Sequence, residues 1–100
     1  MKKVYISLPI SGRDVEEAKA EAERVKETLR DAGYQPVSPF DVVAEIPEHM
    51  TEREGYAYCM GKDIEALLLC DAIYLCRGHE ASNGCRLERM AAMIYDKELI

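Results

Sequence analysis

Residues 82–88 (Ser-Asn-Gly-Cys-Arg-Leu-Glu) have the types and spacing of a ligand site that contains one acidic side chain. The apolar residues 72–76 predict a buried strand before this segment, and the small residues around Gly84 predict a turn that opens a helix. Glu88 would then lie in the first turns of a helix at the carboxyl edge of a sheet, where open α/β folds bind ligands. An acidic residue there also complements the positive end of a helix dipole, so Glu88 alone does not establish a site.

A second acidic side chain, Asp63, is predicted to approach the same edge of the sheet from a different helix. Asp63 lies eight positions before Asp71, which immediately precedes the predicted strand. Eight residues span about 12 Å of helix, whereas a five-residue strand is about 17 Å long. Asp71 therefore belongs to a turn at the amino edge, and Asp63 lies towards the carboxyl edge with Glu88. Paired carboxylates suit cleavage of a glycosidic bond, because one attacks or stabilises an oxocarbenium-like centre while the other transfers a proton.

The elements that must position these residues alternate between strands and helices along the chain. Strands are predicted over residues 4–8, 34–38, 72–76 and 98–100, and helices over residues 15–32, 52–69 and 83–95. Asp14 can cap the first helix, and a capping box formed by Thr51 and Glu54 opens the second, which Gly61 is expected to interrupt. Residues 39–50 show no clear period and are predicted to form a long loop, of the kind that often serves as a lid or binding loop.

This order of elements predicts an α/β fold with right-handed crossovers and helices on both faces of a parallel sheet. We predict a flavodoxin-like or Rossmann-like three-layer sandwich, with four or five strands in the order 2-1-3-4. In that order the topological switch lies between the first and third strands, so the loops after Leu8 and Cys76 border one crevice. One hundred residues suffice for one core, and we predict that residues 1–100 form a single domain.

The composition is that of an ordinary globular protein, and it argues against several kinds of partner. The net charge is −6, and basic residues are interleaved with acidic ones, so no basic patch is present for nucleic acid or an anionic membrane. No apolar run approaches the roughly 20 residues of a membrane helix. The four cysteines form no C-x-x-C pair, and there are two histidines. We therefore expect no metal site, no bound cofactor, and free thiols in a cytoplasmic protein.

Three segments of the chain resemble the nucleoside 2-deoxyribosyltransferase superfamily, especially its small, poorly characterised bacterial and phage-type members. Residues 4–12 (Val-Tyr-Ile-Ser-Leu-Pro-Ile-Ser-Gly) are similar to its first strand and its glycine-containing nucleobase or phosphate loop. Residues 63–72 are similar to its Asp-x(7)-Asp-Ala segment, and residues 82–88 to the Ser-x-Gly-x-x-x-Glu motif that carries its catalytic glutamate. The chain departs from the family pattern at Leu8-Pro9, where a glycine is usual.

The resemblance implies an activity and a role for each matching residue. The implied activity is cleavage or transfer at the N-glycosidic bond of a nucleoside or nucleoside 5′-monophosphate, and the alternative is a non-catalytic nucleotide-binding module. Glu88 would attack C1′, Asp63 would orient the sugar or protonate the departing base, and Tyr5 would lie beside Glu88. The residues expected to bind substrate are Ser7, Pro9, Ile10, Ser11, Gly12, Ser82, Asn83 and Gly84.

Further expectations concern charge and association. A helix N-terminus favours a charged carboxylate, so we expect Glu88 to be ionised, whereas burial and a like-charged neighbour should raise the pKa of Asp63. Family members build sites across subunit contacts, so we predict a homodimer or a larger homo-oligomer. The second helix would supply apolar contact surface from Tyr56, Met60 and Leu67. Tyr56 and Tyr58 are two positions apart, so we expect one to pack and the other to face the crevice.

Overall fold

Four parallel strands form one sheet in the order β2-β1-β3-β4, which confirms the predicted fold class and strand order. The computed structural model describes residues 1–100. The elements are β1 (Lys3–Ser7), α1 (Val15–Asp31), β2 (Gln35–Val37), α2 (Pro39–Val42), α3 (Glu52–Leu68), β3 (Ala72–Leu75), a 3-10 turn (His79–Ala81), α4 (Asn83–Ile94) and β4 (Glu98–Leu99). The sheet has four strands, the smaller of the two numbers predicted. The topological switch point lies between β1 and β3.

The side chains of the central strand β1 alternate between the two faces of the sheet. Val4 and Ile6 pack into a hydrophobic cluster with the inner face of α1. Tyr5 packs into a second cluster on the opposite face, with Leu67 of α3 and Ala92 of α4. Helices therefore cover both faces, and the two-residue period of β1 directs Tyr5 and Ser7 towards the layer that contains α3 and α4.

Helix α3 runs without interruption through Gly61. It begins at the predicted capping box, in which the Thr51 side chain accepts from the Glu54 N–H and the Glu54 carboxylate accepts from the Thr51 N–H. A glycine inside a helix costs about 1 kcal/mol relative to alanine, which is less than the packing of the inner face supplies. The expected break at Gly61 is therefore wrong. Leu67 is fully buried on that inner face, so the expectation that it offers surface to another subunit is also wrong.

The segment of residues 39–50, expected to be a loop, contains the short helix α2. Ser38 caps this helix through a capping box with Asp41, and Pro39 occupies its first turn, where a missing N–H is tolerated. The Nζ of Lys26 in α1 lies 2.9 Å from Oδ1 of Asp41, which fixes α2 against α1. The rest of the segment carries Ile46 to the carboxyl edge of the sheet.

The four cysteines are free thiols, and three of them are buried. None of the helices has the length and apolar character that a membrane span requires.

Candidate active site

A cavity of about 680 Å³ opens at the carboxyl edge of the sheet, where the loops after β1 and β3 meet. This volume falls within the range of about 300–1,000 Å³ that is usual for small-molecule sites. The predicted site residues that line it are Pro9, Ile10, Ser11, Asp63, Ser82, Asn83, Gly84 and Glu88. The structure thus brings the two carboxylates and the start of α4 to one crevice, as the predicted strand order requires.

The carboxylate of Glu88 is held by two hydroxyl groups from β1. The Tyr5 hydroxyl donates to Oε2 at 2.9 Å, and the Ser7 hydroxyl donates to Oε1 at 2.7 Å. Both donors are fully buried, and Glu88 itself is 4% exposed. Since each carboxylate oxygen has its own donor, the side chain of Glu88 is fixed in one orientation.

Tyr5 and Ser7 lie behind Glu88 rather than on the cavity wall. Tyr5 was predicted to lie beside Glu88, and the structure places it there. Ser7 was expected to bind substrate, but its hydroxyl is bonded to Glu88 and it does not line the cavity. Gly12, also expected to bind substrate, is exposed in a turn with φ of 79° and lies outside the lining.

The spacing of the buried residues along α4 places Glu88 on the inner face of the helix. Ser82 caps the helix by accepting from the Cys85 N–H at 3.2 Å. Cys85, Glu88 and Ala92 are the buried residues of α4, separated by three and then four positions, which places them on one face. Glu88 is the sixth residue of α4 and lies in its second turn, within the first turns of the helix as the sequence predicted.

The pKa of Glu88 is raised to about 7, chiefly because burial disfavours its charged form, and the hydrogen bonds from Ser7 and Tyr5 act against this rise. Burial therefore shifts the pKa of Glu88 in the direction opposite to the one expected from the helix N-terminus. The physical reason is that the helix dipole acts within about one turn of the end, whereas Glu88 lies beyond that turn in a buried position.

Asp63 approaches the cavity from α3 and is 7% exposed. Its Oδ1 is the one buried side-chain polar atom without a hydrogen-bond partner. The pKa of Asp63 is raised to about 7, first by burial and second by the charge of Glu88, in the direction that the sequence predicted. A buried polar atom without a partner is uncommon, and here it belongs to a residue that lines the cavity.

The start of α4 supplies backbone N–H groups to the same cavity. Asn83 and Gly84 are the first two helical residues, so their N–H groups have no acceptor in a preceding turn. A Cβ added to Gly84 would lie 3.3 Å from Sδ of Met60, so α3 and α4 approach closely here. No lysine, arginine or histidine lines the cavity. From the sequence, Arg86 could either bind a phosphate or point into solvent. In the structure it does not line the cavity and lies beside Arg89 instead.

Several lining residues were not identified from the sequence, and helical spacing was the signal that could have found some of them. Cys59 and Met60 precede Asp63 by four and three positions and share its face of α3. The expectation that one of Tyr56 and Tyr58 faces the crevice is met by Tyr56. Two further lining residues, Pro39 and Ile46, belong to the segment of residues 39–50 that was predicted as a lid or binding loop. No local pattern pointed to the other lining residues outside α3, which are Leu8, Gly78, Ala81 and Cys85.

Comparison with solved structures assigns the architecture. The chain is similar to a 2-deoxyribosyltransferase from the psychrotolerant bacterium Bacillus psychrosaccharolyticus, with a TM-score of 0.71 and 20% sequence identity over 97% of this chain and 69% of that chain. It is also similar to the CMP N-glycosidase of Clostridium botulinum, with a TM-score of 0.61 and 18% identity over 98% of this chain and 68% of that chain. The fold is therefore that of the nucleoside 2-deoxyribosyltransferase class.

The family assignment rests on a match to a family model over nearly the whole chain. Residues 2–100 match the model described as a domain of unknown function, DUF4406, and the protein belongs to this family. A comparison with curated proteins finds no match.

Proposed function

We propose that the protein cleaves or transfers the N-glycosidic bond of a nucleoside or nucleoside 5′-monophosphate, with Glu88 as the nucleophile. The observation that carries this proposal is the arrangement of two carboxyl groups on one ligand-sized cavity. Glu88 is fixed by Tyr5 and Ser7, while Oδ1 of Asp63 has no protein partner. The solved structures with this fold include a 2-deoxyribosyltransferase and a CMP N-glycosidase, which supports the same bond as the target.

The two carboxyl groups have complementary roles in this reaction. Glu88 as carboxylate attacks C1′, the bond from C1′ to the base nitrogen breaks, and protonated Asp63 supplies a proton to the departing base. The pKa values of both groups are raised to about 7, mainly by burial, so a form with one proton between the two is accessible at neutral pH. Water or a second base then attacks C1′ and releases Glu88.

The start of α4 supports a 5′-phosphate as part of the substrate. The N–H groups of Asn83 and Gly84 are available there, and Ser82 also lines the cavity. A helix N-terminus binds phosphate through such N–H groups and its dipole, without a cationic side chain. Because no cationic side chain lines this cavity, we expect the N-terminus of α4 to contribute most of the binding free energy for a phosphate.

The test is a panel of nucleosides and nucleoside 5′-monophosphates, each incubated with and without a second free base. Release of free base indicates hydrolysis, and a new nucleoside or nucleotide indicates transfer. Glu88→Gln keeps the size of the side chain and removes the nucleophile, so turnover should disappear while ligand binding persists. Glu80→Gln, an exposed substitution on the 3-10 turn, is the matched control and should leave turnover unchanged.

The same experiment separates an enzyme from the alternative, a nucleotide-binding module that senses or sequesters its ligand. Binding of a nucleotide by calorimetry, with no product from any substrate in the panel, would support the module. Full turnover by Glu88→Gln on the best substrate would contradict Glu88 as the nucleophile.

We also propose that the protein forms a homodimer or a larger homo-oligomer, which a small domain with an open crevice would use to complete its site. Light scattering at tens of micromolar would detect this, since contacts with micromolar dissociation constants are largely occupied at about that concentration. A monomer under those conditions would contradict the proposal.

A further inference from the structure

Ser7 contacts Glu88 in a way that substrate binding does not explain. Its hydroxyl donates to Oε1 at 2.7 Å, whereas Tyr5 donates to the other oxygen, Oε2. Ser7 is fully buried and does not line the cavity, so its hydroxyl acts on Glu88 and on the neighbouring Cys85 thiol rather than on a ligand. Ser7 and Tyr5 are two positions apart on β1, which places both hydroxyls on the same face of the strand.

The surroundings of Glu88 make this hydroxyl important, because nothing cationic stabilises the carboxylate. The titratable groups that face Glu88 are Tyr5 on β1, Asp63 on α3 and Cys85 on α4. None of these groups carries a positive charge, and no lysine, arginine or histidine lines the cavity. The negative charge of Glu88 therefore depends on two neutral donors, each bonded to a different oxygen.

We propose that Ser7 is a positioning residue that stabilises Glu88 as the leaving group in the second step of glycosyl transfer. This inference rests on the proposed function. In the first step an oxygen of Glu88 bonds to C1′, the bond from C1′ to the base breaks with its electron pair going to the base, and Asp63 gives the base a proton. The charge on Glu88 disappears as the ester forms.

In the second step the charge on Glu88 returns. The oxygen of water bonds to C1′, the ester bond from C1′ to Glu88 breaks, and its electron pair returns to the carboxylate. The proton of the water passes to Asp63, which is ionised after the first step. A donor that stabilises the carboxylate assists this departure and gives no such assistance to the attack. Loss of the Ser7 hydroxyl should therefore slow the second step more than the first.

The experiment compares wild type with Ser7→Ala in rapid-quench assays that measure free base and free sugar separately. Intact-protein mass spectrometry follows the glycosyl adduct on Glu88. In Ser7→Ala we expect a burst of base release, with an adduct that decays about 10- to 100-fold more slowly than in wild type. Loss of the donor should also raise the pKa of Glu88 and move the acid limb of kcat/KM to higher pH.

Two further variants and a control distinguish this role from a purely structural one. Ser7→Thr keeps the hydroxyl and should restore adduct decay, and Ser7→Cys keeps the volume with a weaker donor and should give an intermediate rate. Thr51→Ala removes the N-cap of α3 away from Glu88, so it should lower the free energy of unfolding without changing adduct decay. Circular dichroism confirms that each variant is folded.

Provided that the wild type forms the adduct, two results for Ser7→Ala would overturn the proposed role of Ser7. One is an equal slowing of adduct formation and adduct decay, and the other is no change in either rate. Should Ser7→Ala not fold, the rates of Ser7→Cys decide the question, and a wild-type decay rate in that variant overturns the inference. Failure of wild type to cleave any substrate, or to form an adduct on Glu88, would instead overturn the proposed function.

Discussion

The hydroxyl of Tyr5 donates a 2.9 Å hydrogen bond to Oε2 of Glu88, although 83 positions separate the two residues in the chain. Tyr5 belongs to the central strand and Glu88 to the helix after the third strand, so the bond forms only when the sheet is assembled. The pKa of Tyr5 is raised far above its ordinary value, first by burial and second by the charge of Glu88. Tyr5 is therefore a permanent donor rather than a proton source.

Replacing Tyr5 by Phe tests that bond. The aromatic ring is retained in the hydrophobic cluster, but Oε2 of Glu88 loses its donor. We expect kcat/KM to fall about 10- to 100-fold and the acid limb of its pH profile to move to higher pH, because the charged form of Glu88 is less stabilised. A pH–rate profile of Tyr5→Phe against wild type measures both effects. An acid limb at the wild-type position would show that the bond does not control the ionisation of Glu88.

Replacing Asp63 by Asn tests its role as proton donor. The amide is similar in shape but cannot supply a proton to the departing base. Turnover should fall about 100-fold or more for substrates with poor leaving bases, and much less for bases that depart without protonation. A series of nucleosides with different leaving bases gives the comparison, and Glu65→Gln, on the exposed face of α3, is the control. A uniform loss across the series would indicate that Asp63 orients the sugar instead.

The same two carboxyl groups predict how stability depends on pH. The pKa values of Asp63 and Glu88 are raised to about 7 in the folded protein, mainly by burial, from ordinary values of 3.8 and 4.5. Between about pH 4 and 7 the folded protein therefore holds protons that the unfolded chain has released. The stability present at low pH is lost as the pH rises through this window.

Substitution of Glu88 by Gln should accordingly stabilise the fold more at pH 8 than at pH 5. The rise of the Glu88 pKa from 4.5 to about 7 corresponds to roughly 3 kcal/mol, which sets the order of magnitude of the difference at full ionisation. Urea unfolding of Glu88→Gln and wild type at the two pH values measures it. A difference in unfolding free energy that is the same at both pH values would show that Glu88 has an ordinary pKa when folded.

Some features of this molecule follow from local sequence patterns, and others depend on contacts between distant residues. Hydrophobic periodicity and turn residues are local signals, and they predicted the alternating strands and helices that bring Asp63 and Glu88 to one crevice once the strands take the order 2-1-3-4. The ionisation of Glu88 depends on burial, which no local pattern reports. The role of Ser7 depends on a contact across 81 positions, and the contribution of Ile46 depends on how an irregular segment packs.

The two helical glycines Gly61 and Gly84 differ in how closely other side chains approach them. A Cβ at Gly61 in α3 would meet nothing within 4 Å, whereas a Cβ at Gly84 in α4 would lie 3.3 Å from Sδ of Met60. Gly61→Ala should raise the free energy of unfolding by up to about 1 kcal/mol and leave KM unchanged, since alanine is the better helix former.

Gly84→Ala should instead raise KM severalfold, because Met60 must move and both residues line the cavity. A double variant that also carries Met60→Ala removes the crowding, so its KM should match that of Met60→Ala alone. Urea unfolding and steady-state kinetics on the four variants provide the measurements. Equal KM values for Gly61→Ala and Gly84→Ala would mean that the approach of α3 to α4 at Gly84 does not shape the binding site.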